Sequence, residues 1–540
     1  MVGANCGSSI PLKAGNMTVA AVLFFLLAIV MFSTQSFAQA PEGTTARDVL
    51  TKLDAWDLPG AEADLAPLLK SDPADPFTRF AAAMVAFHKG RHQEAVKAIE
   101  GIDIPEGDSR SMMALIRSSA TVTEKYSEAK SAGGHFRLLY PPGPDSVLVH
   151  AVLDMLEKAR TAVGADLEYL PPEEITVEVV NSPAELSAMT GLTEEEIRTT
   201  NTIAVCKFNR LMFTSPAAAA AGYPYLDTLG HEYTHYVVSR KTGNGVEIWL
   251  HEAIAKMEES AWRGRPGALR PDHEGLISSA LARGKLITFE RMSPSMAKLP
   301  DADSAALAFA EVFSAGVFIR ESAGPDALAR MLAAIAAGRD MSGAFEAVGL
   351  GSTARFEKAW MADLKKNYSG KQTVDRQFYR SRLKGDSSRL DKAGAQDDVG
   401  TQATRQFVRL GDLLMQRGKA AAAAKEFEKA TGSSGVKNPV IQNRLSVALL
   451  AAGKPGEAAA ALQGLSAMYP DFISTYMNLA RIASRTGKPA ESEKNYRLAA
   501  EINPFDHEIW EGIASAAKSL GDRKTYDEAV GNLTLIKTVE

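Results

Sequence analysis

The period of the apolar positions changes along this chain, and the changes divide it into segments. Ile175-Thr176-Val177-Glu178-Val179-Val180 alternates apolar and polar residues, which is the two-residue period of a strand. Ile203 to Phe208, followed by Leu211-Met212-Phe213, reads as strand again. The residues around 231–235 read as helix. Ser239 to Asn244 then reads as a loop, and a new apolar run through Trp249-Leu250 reads as a second helix. Ala305 to Ser322 and the run ending at Trp360 are helical. Ser369 to Gly400 is polar and reads as an exposed connection.

The two ends of the chain have different patterns. Thr18 to Phe32 is a 15-residue apolar run with Lys13 before it and Ser36-Phe37-Ala38 after it. The run is short for a membrane span, and small-x-small is a cleavage signal, so residues 1–38 read as a signal peptide cut after Ala38. The alternative is an uncleaved anchor. In the C-terminal third, Gly418, Gly453, Gly487 and Gly521 recur at intervals of 35, 34 and 34 residues, each between two helix-like runs. A period of about 34 residues predicts helix pairs that stack, because one pair cannot bury its own apolar face.

Composition narrows the picture. A chain of 540 residues exceeds one domain, and three or four are expected. With 46% hydrophobic and 23% charged residues it is an ordinary globular sequence. The net charge of −5 gives no basic excess for nucleic acid, and no Walker-type phosphate loop is present. Only Cys6 and Cys206 occur, and cleavage after Ala38 would leave Cys206 alone, without an intrachain disulfide. In an apolar strand it reads as a small buried hydrophobe.

The chemistry concentrates in His231-Glu232-Tyr233-Thr234-His235. Histidines four apart on a helix share a face, so both imidazoles can reach one metal ion. Glu232 between them is placed to act as general base on a metal-activated water. Zinc in hydrolases takes three protein ligands, and the candidate third is Glu252, 17 residues after His235 on the following helix. His251 beside it reads either as a packing histidine or as a group facing substrate or a ligand. Glu259, two turns on, reads either as a hydrogen-bond partner of a ligand imidazole or as part of a solvated face. Tyr223 and Tyr225 read as packing residues, with lining of a cleft as the alternative.

HEYTHYVVSRKTGNGVEIWLHEAIAKMEES resembles the gluzincin metallopeptidases, specifically the peptidase MA-like domains, over residues 132–368. The resemblance implies an α+β zincin-like fold and Zn(2+) held by His231, His235 and Glu252. It also implies Glu232 as general base, a peptide or protein substrate, and the strand at 203–213 as the edge of the cleft. Two positions depart from the family. Ala253 stands where glycine is usual, and Phe309 stands where related enzymes place the tyrosine that stabilises the oxyanion. His273, Tyr368 and Tyr379 are candidate substitutes for that hydroxyl.

The C-terminal pattern, best seen in Asn478-Leu479-Ala480, Gly487-Lys488-Pro489, Tyr496, Ala499 and Pro504, is similar to tetratricopeptide (TPR) repeats. A weaker version occurs at Phe80-Ala81-Ala82-Ala83, Gly90-Arg91, Ala95 and Ile99, where a plain helical bundle is the alternative. TPR resemblance implies binding of a protein partner. The expected organisation is multidomain: a signal peptide at 1–38, TPR-like helices at 43–128, the catalytic domain at 132–368, a linker at 369–402 and TPR repeats at 403–538. The expected function is an exported zinc-dependent metallopeptidase of the bacterial periplasm or cell envelope. Membrane contact is expected only if the N-terminal segment stays uncleaved. The alternative is a catalytically weak or inactive peptidase-like domain serving as an envelope scaffold.

Overall fold

A computed structural model describes residues 44–102, 108–264, 267–293, 296, 299–371, 401–434 and 437–537. The expected signal peptide, nearly all of the expected linker, and Tyr379 lie outside these residues.

The N-terminal helices Ala46–Asp54, Leu58–Ser71, Pro76–His88 and His92–Ile99 pack as two pairs, followed by Asp108–Thr123. They bury their own cluster, which includes Val49, Leu53, Phe80, Phe87 and Ile116. Asp57 and Asp75 cap two of these helices by accepting from Gly60 N and Thr78 N, with proline in the first turn of each.

A five-stranded sheet follows, built from β1 (Ser127–Lys130), β2 (Phe136–Tyr140), β3 (Ile175–Val180), β4 (Ala204–Lys207) and β5 (Arg210–Thr214). Its order is β1-β2-β3-β5-β4. β2, β3 and β5 run parallel, while β1 and β4 pair antiparallel at the two edges. The segment 203–213 is therefore not one edge strand. It folds into a hairpin in which only β4 lies at the edge, and β5 is interior beside β3. The hairpin turns at Phe208 and Asn209, both with φ near +55°. Two consecutive left-handed residues match the twist of a two-residue hairpin, and a bulky Phe208 is costly there. Phe208 packs 5.1 Å from the Phe87 ring, so the N-terminal helices hold the turn.

β3 is buried on both faces although its sequence alternates. Ile175, Val177 and Val179 join the main core with Leu156, Leu229 and Tyr233. The polar face is covered by the N-terminal helices. Thr176 Oγ1 donates to Lys89 O at 2.9 Å, and Asn209 Nδ2 donates to His88 Nδ1 at 2.8 Å. Glu178, fully buried, accepts from Arg210 Nη1 and lies 2.5 Å from His92 Nε2. Burial works to raise the Glu178 carboxyl, but Arg210 and His92 outweigh it and hold it below the ordinary range. Gly90 permits this contact, since a Cβ there would lie 2.6 Å from Thr176 Cγ2.

The C-terminal helices are Gln402–Gln416, Ala420–Ser434, Pro439–Ala451, Pro455–Ala461, Leu465–Met468, Ile473–Arg485, Pro489–Ala500, His507–Leu520 and Arg523–Lys537. The four periodic glycines sit at the turns with φ between +69° and +77°, where a side chain would be strained. One repeat departs from the pair pattern: its second helix breaks at Gly464, φ +73°. Asn478 Nδ2 donates to Asn443 Oδ1 and Asn443 Nδ2 to Thr475 Oγ1, a buried polar ladder joining successive repeats. The last repeats share the main core, which also holds the sheet, through Ile509 and Trp510. Tyr223 N donates to Ile502 O, Arg263 pairs with both Asp227 and Glu501, and Arg270 Nη1 reaches Asp471 at 2.8 Å. Among the described residues, no helix is long and apolar enough to cross a membrane.

Candidate metal centre

The motif helix spans Tyr225–Thr242 and ends at Gly243, whose φ of +61° closes it. Asn244 is also left-handed, and the chain reverses into the carboxylate helix, Ile248–Glu258. The two helices pack closely because Gly230 carries no side chain. A Cβ there would lie 2.6 Å from the Glu259 carbonyl oxygen. On the other side of the carboxylate helix lies the helix Ala302–Ala323. There Gly316 leaves room for Met257, whose Sδ would clash with a Cβ at Gly316, while the Ala253 methyl, 3.5 Å from that position, is in ordinary contact.

This packing brings His231, His235 and Glu252 together. His231 Nε2 lies 3.1 Å from His235 Nε2, and Glu252 Oε2 lies 3.3 Å and 3.5 Å from the two nitrogens. Zinc bonded at about 2.0–2.1 Å to tetrahedral ligands needs ligand atoms about 3.3 Å apart. The triangle fits that requirement. Among the described residues, buried Glu252 Oε2 makes no close hydrogen bond and faces only the two histidine nitrogens at 3.3 and 3.5 Å, a state costly for a carboxylate unless a cation completes it. The three side chains are 13–15% exposed, so a ligand can enter from solvent. Burial works to raise the Glu252 carboxyl, but His235 and His231 outweigh it and hold it well below the usual range.

Glu232 sits on the strand side of the triangle. Burial pushes its carboxyl up to about 7; His235 opposes this, Glu252 adds to it, and the backbone amide of Cys206 opposes it. That amide belongs to β4, so the edge strand and the candidate base are in contact. Cys206 is half-buried, and burial together with Glu232 raises its thiol well above the ordinary range. A thiol so raised is not an activated nucleophile.

His251 takes a position that its sequence context left open. Its Nδ1 is in hydrogen-bond contact with His235 Nδ1, and the two rings meet edge to edge with centroids 4.6 Å apart and planes 27° apart. Its Nε2 lies 3.1 Å from Ser239 Oγ. Burial, with His235 beside it, depresses the imidazole to about 3. Sequence reasoning did not single out Ser239. It read Ser239 to Asn244 as a loop, whereas the helix runs on to Thr242 and so places Ser239 one turn beyond His235 on the same face. Glu259 reaches Lys256 Nζ at 2.6 Å and stays 4.0 Å from His231 Nδ1, too far for a hydrogen bond.

The remaining candidates do not join the cluster. Tyr223 is buried and its hydroxyl donates to Thr214 O, and Tyr225 is buried near Glu501, so both pack. Phe309 is half-buried against the main core. Tyr368 has Glu274, Asp363 and Glu321 as its charged neighbours, and His273 has Asp272, none of them in the cluster.

Residues 173–366 match the family model of the Peptidase MA superfamily. Residues 49–108, 408–472 and 443–507 match the tetratricopeptide repeat model. No curated protein matches the chain. Among solved structures, the chain is similar to the APC/C hetero-tetramer Cut9–Hcn1, with 11% identity over 92% of this chain and 79% of that chain and a TM-score of 0.27. Yeast LTA4 hydrolase in complex with bestatin gives 10% identity, 76% and 67% coverage and 0.27. Native yeast LTA4 hydrolase gives 12%, 76% and 66%, and 0.28.

Proposed function

We propose that the Peptidase MA superfamily domain of this chain is a zinc-dependent metallopeptidase of the gluzincin type. It is exported to the bacterial periplasm or cell envelope, and its tetratricopeptide repeats recruit a protein substrate or partner. The observation that carries the reading is the triangle of His231 Nε2, His235 Nε2 and Glu252 Oε2, with Glu232 adjoining it. Zinc held there would supply Lewis acidity for the scissile carbonyl and lower the pKa of water.

Glu232 accepts the proton of the attacking water on its carboxylate and passes it to the leaving amine. A carboxyl near 7 serves both directions at neutral pH. Among the described residues, β4 has no strand neighbour on one side, so its backbone can pair with an extended peptide. The short apolar run before Ala38 supports export.

Phe309 favours a second reading, a scaffold that binds metal but turns over slowly. A phenyl ring donates no hydrogen bond, and loss of one oxyanion donor costs about 10²–10³ in turnover. The test is cleavage of a diverse peptide library by the zinc-loaded chain beside its Glu232→Gln variant. Cleavage by the native chain alone is expected. Cleavage by both would refute Glu232 as the base, and cleavage by neither, with zinc bound in both, would favour the scaffold.

A further inference from the structure

His235 offers its Nε2 to the triangle, and that nitrogen can take a metal only if the ring proton sits on Nδ1. Something must therefore accept a hydrogen bond from Nδ1–H. Among the described residues, Glu259, the acidic side chain at the end of the carboxylate helix, stays 4.0 Å away from His231 Nδ1. His235 has His251 Nδ1.

The two facing Nδ1 atoms share one proton, so one imidazole donates and the other accepts. Two arrangements are available. If His251 donated, the His235 proton would sit on Nε2, pointing at His231 Nε2 and Glu252 Oε2. If His251 accepts, its own proton sits on Nε2 and is donated to Ser239 Oγ at 3.1 Å. Ser239 Oγ then donates toward Asn244 Oδ1 at 3.5 Å. Ser239 Oγ can partner His251 Nε2 in either arrangement, but only the second leaves His235 Nε2 free as a lone pair for a metal.

Position on the fold explains how two adjacent residues both act on one ring. His251 and Glu252 are about 100° apart around the carboxylate helix. The His235 ring stands between them, with Nε2 toward Glu252 and Nδ1 toward His251. The two ring planes lie only 27° apart, so an in-plane Nδ1–H of one ring can point at the Nδ1 of the other.

We propose that His251 is a positioning residue, which accepts the Nδ1 proton of His235 and, with Ser239 behind it, fixes that ligand's tautomer and ring plane for zinc. The proposal rests on the reading of His231, His235 and Glu252 as a zinc site. Groups in this role are worth about 10–100-fold in metal affinity.

The test measures zinc affinity of the full chain by competition with a chromophoric chelator. It is paired with the visible absorption of the cobalt-substituted protein and the melting of the metal-free protein. The Oδ1 of asparagine stands the same number of bonds from Cα as Nδ1 of histidine, so His251→Asn retains the acceptor. His251→Leu removes it. Expected are zinc binding within about threefold of the native chain for H251N, a loss of roughly 10–100-fold with an altered cobalt spectrum for H251L, and a smaller loss for Ser239→Ala. Native-like zinc affinity in H251L, or equal loss in H251N and H251L, would overturn the proposal. If H251L does not fold, H251N and S239A decide: weakening in S239A with retention in H251N supports the relay, and the reverse overturns it. A native chain that takes up no zinc overturns the metal-site reading as well, whereas normal uptake in the native chain and all variants overturns only the role of His251.

Discussion

Glu178→Gln tests whether the N-terminal helices are structural parts of the Peptidase MA superfamily domain. Glu178 is fully buried between Arg210, also fully buried, and His92. Among the described residues, Arg210 Nε and Nη2 have no hydrogen-bond partner, so Glu178 is the main compensation for that guanidinium. Removing one partner of a buried ion pair costs about 3–5 kcal/mol, because the other charge stays buried and unpaired. For a unit of 150–250 residues this lowers the melting temperature by roughly 6–20 °C. Arg210 pairs with Lys207 across the β5–β4 ladder, and Cys206 next to it contacts Glu232, so loosening here also reaches the edge strand. Thermal melting followed by intrinsic fluorescence reads the first effect, and limited proteolysis near Phe208 reads the second. Glu178→Met with Arg210→Met, which removes both charges, should melt above Glu178→Gln. A Glu178→Gln chain melting within 2 °C of the native one, or a double variant less stable than the single, would refute the argument.

Other expectations follow from the same geometry. Gly230→Ala places a methyl against the Glu259 carbonyl and forces the motif and carboxylate helices apart. It should cost about 1–3 kcal/mol and weaken zinc binding, and unchanged melting and affinity would contradict the packing described. Chelation should lower the melting temperature of the native chain but not of Glu252→Ala, because only a formed site links metal to folding. His88 is buried and depressed from its ordinary 6.5 to about 3, chiefly by burial and then by Arg210. Its stabilising share is therefore complete above pH 6.5 and is lost as pH falls toward 3. Between pH 6.5 and 5 that is about 2 kcal/mol, at 1.36 kcal/mol per pH unit. Chemical denaturation across this range should show the loss, and His88→Gln, which keeps an acceptor for Asn209 but cannot charge, should flatten it.

The features that sequence alone determined are local ones. Spacing of four places His231 and His235 on one face of a helix whatever surrounds it. The 34-residue glycine period marks turns that need a left-handed residue, and all four glycines adopt it. A match to the Peptidase MA superfamily over 173–366 agrees with the resemblance read from the motif.

Tertiary structure decided what depends on neighbours distant in the chain. The alternation of β3 suggests one solvent face, yet Thr176 and Glu178 are covered by helices more than 80 residues earlier. The run 203–213 looks like one strand, but it turns at Phe208 and Asn209, where Phe87 and His88 of the N-terminal helices hold two left-handed residues. The distance of Glu252 from the histidines depends on Gly230, where two backbones approach. His251 gives no sign of its partner in sequence, because which imidazole nitrogen it meets depends on how two helices are rotated about their axes. Periodicity fixes which residues share a face, but only packing fixes which face meets which.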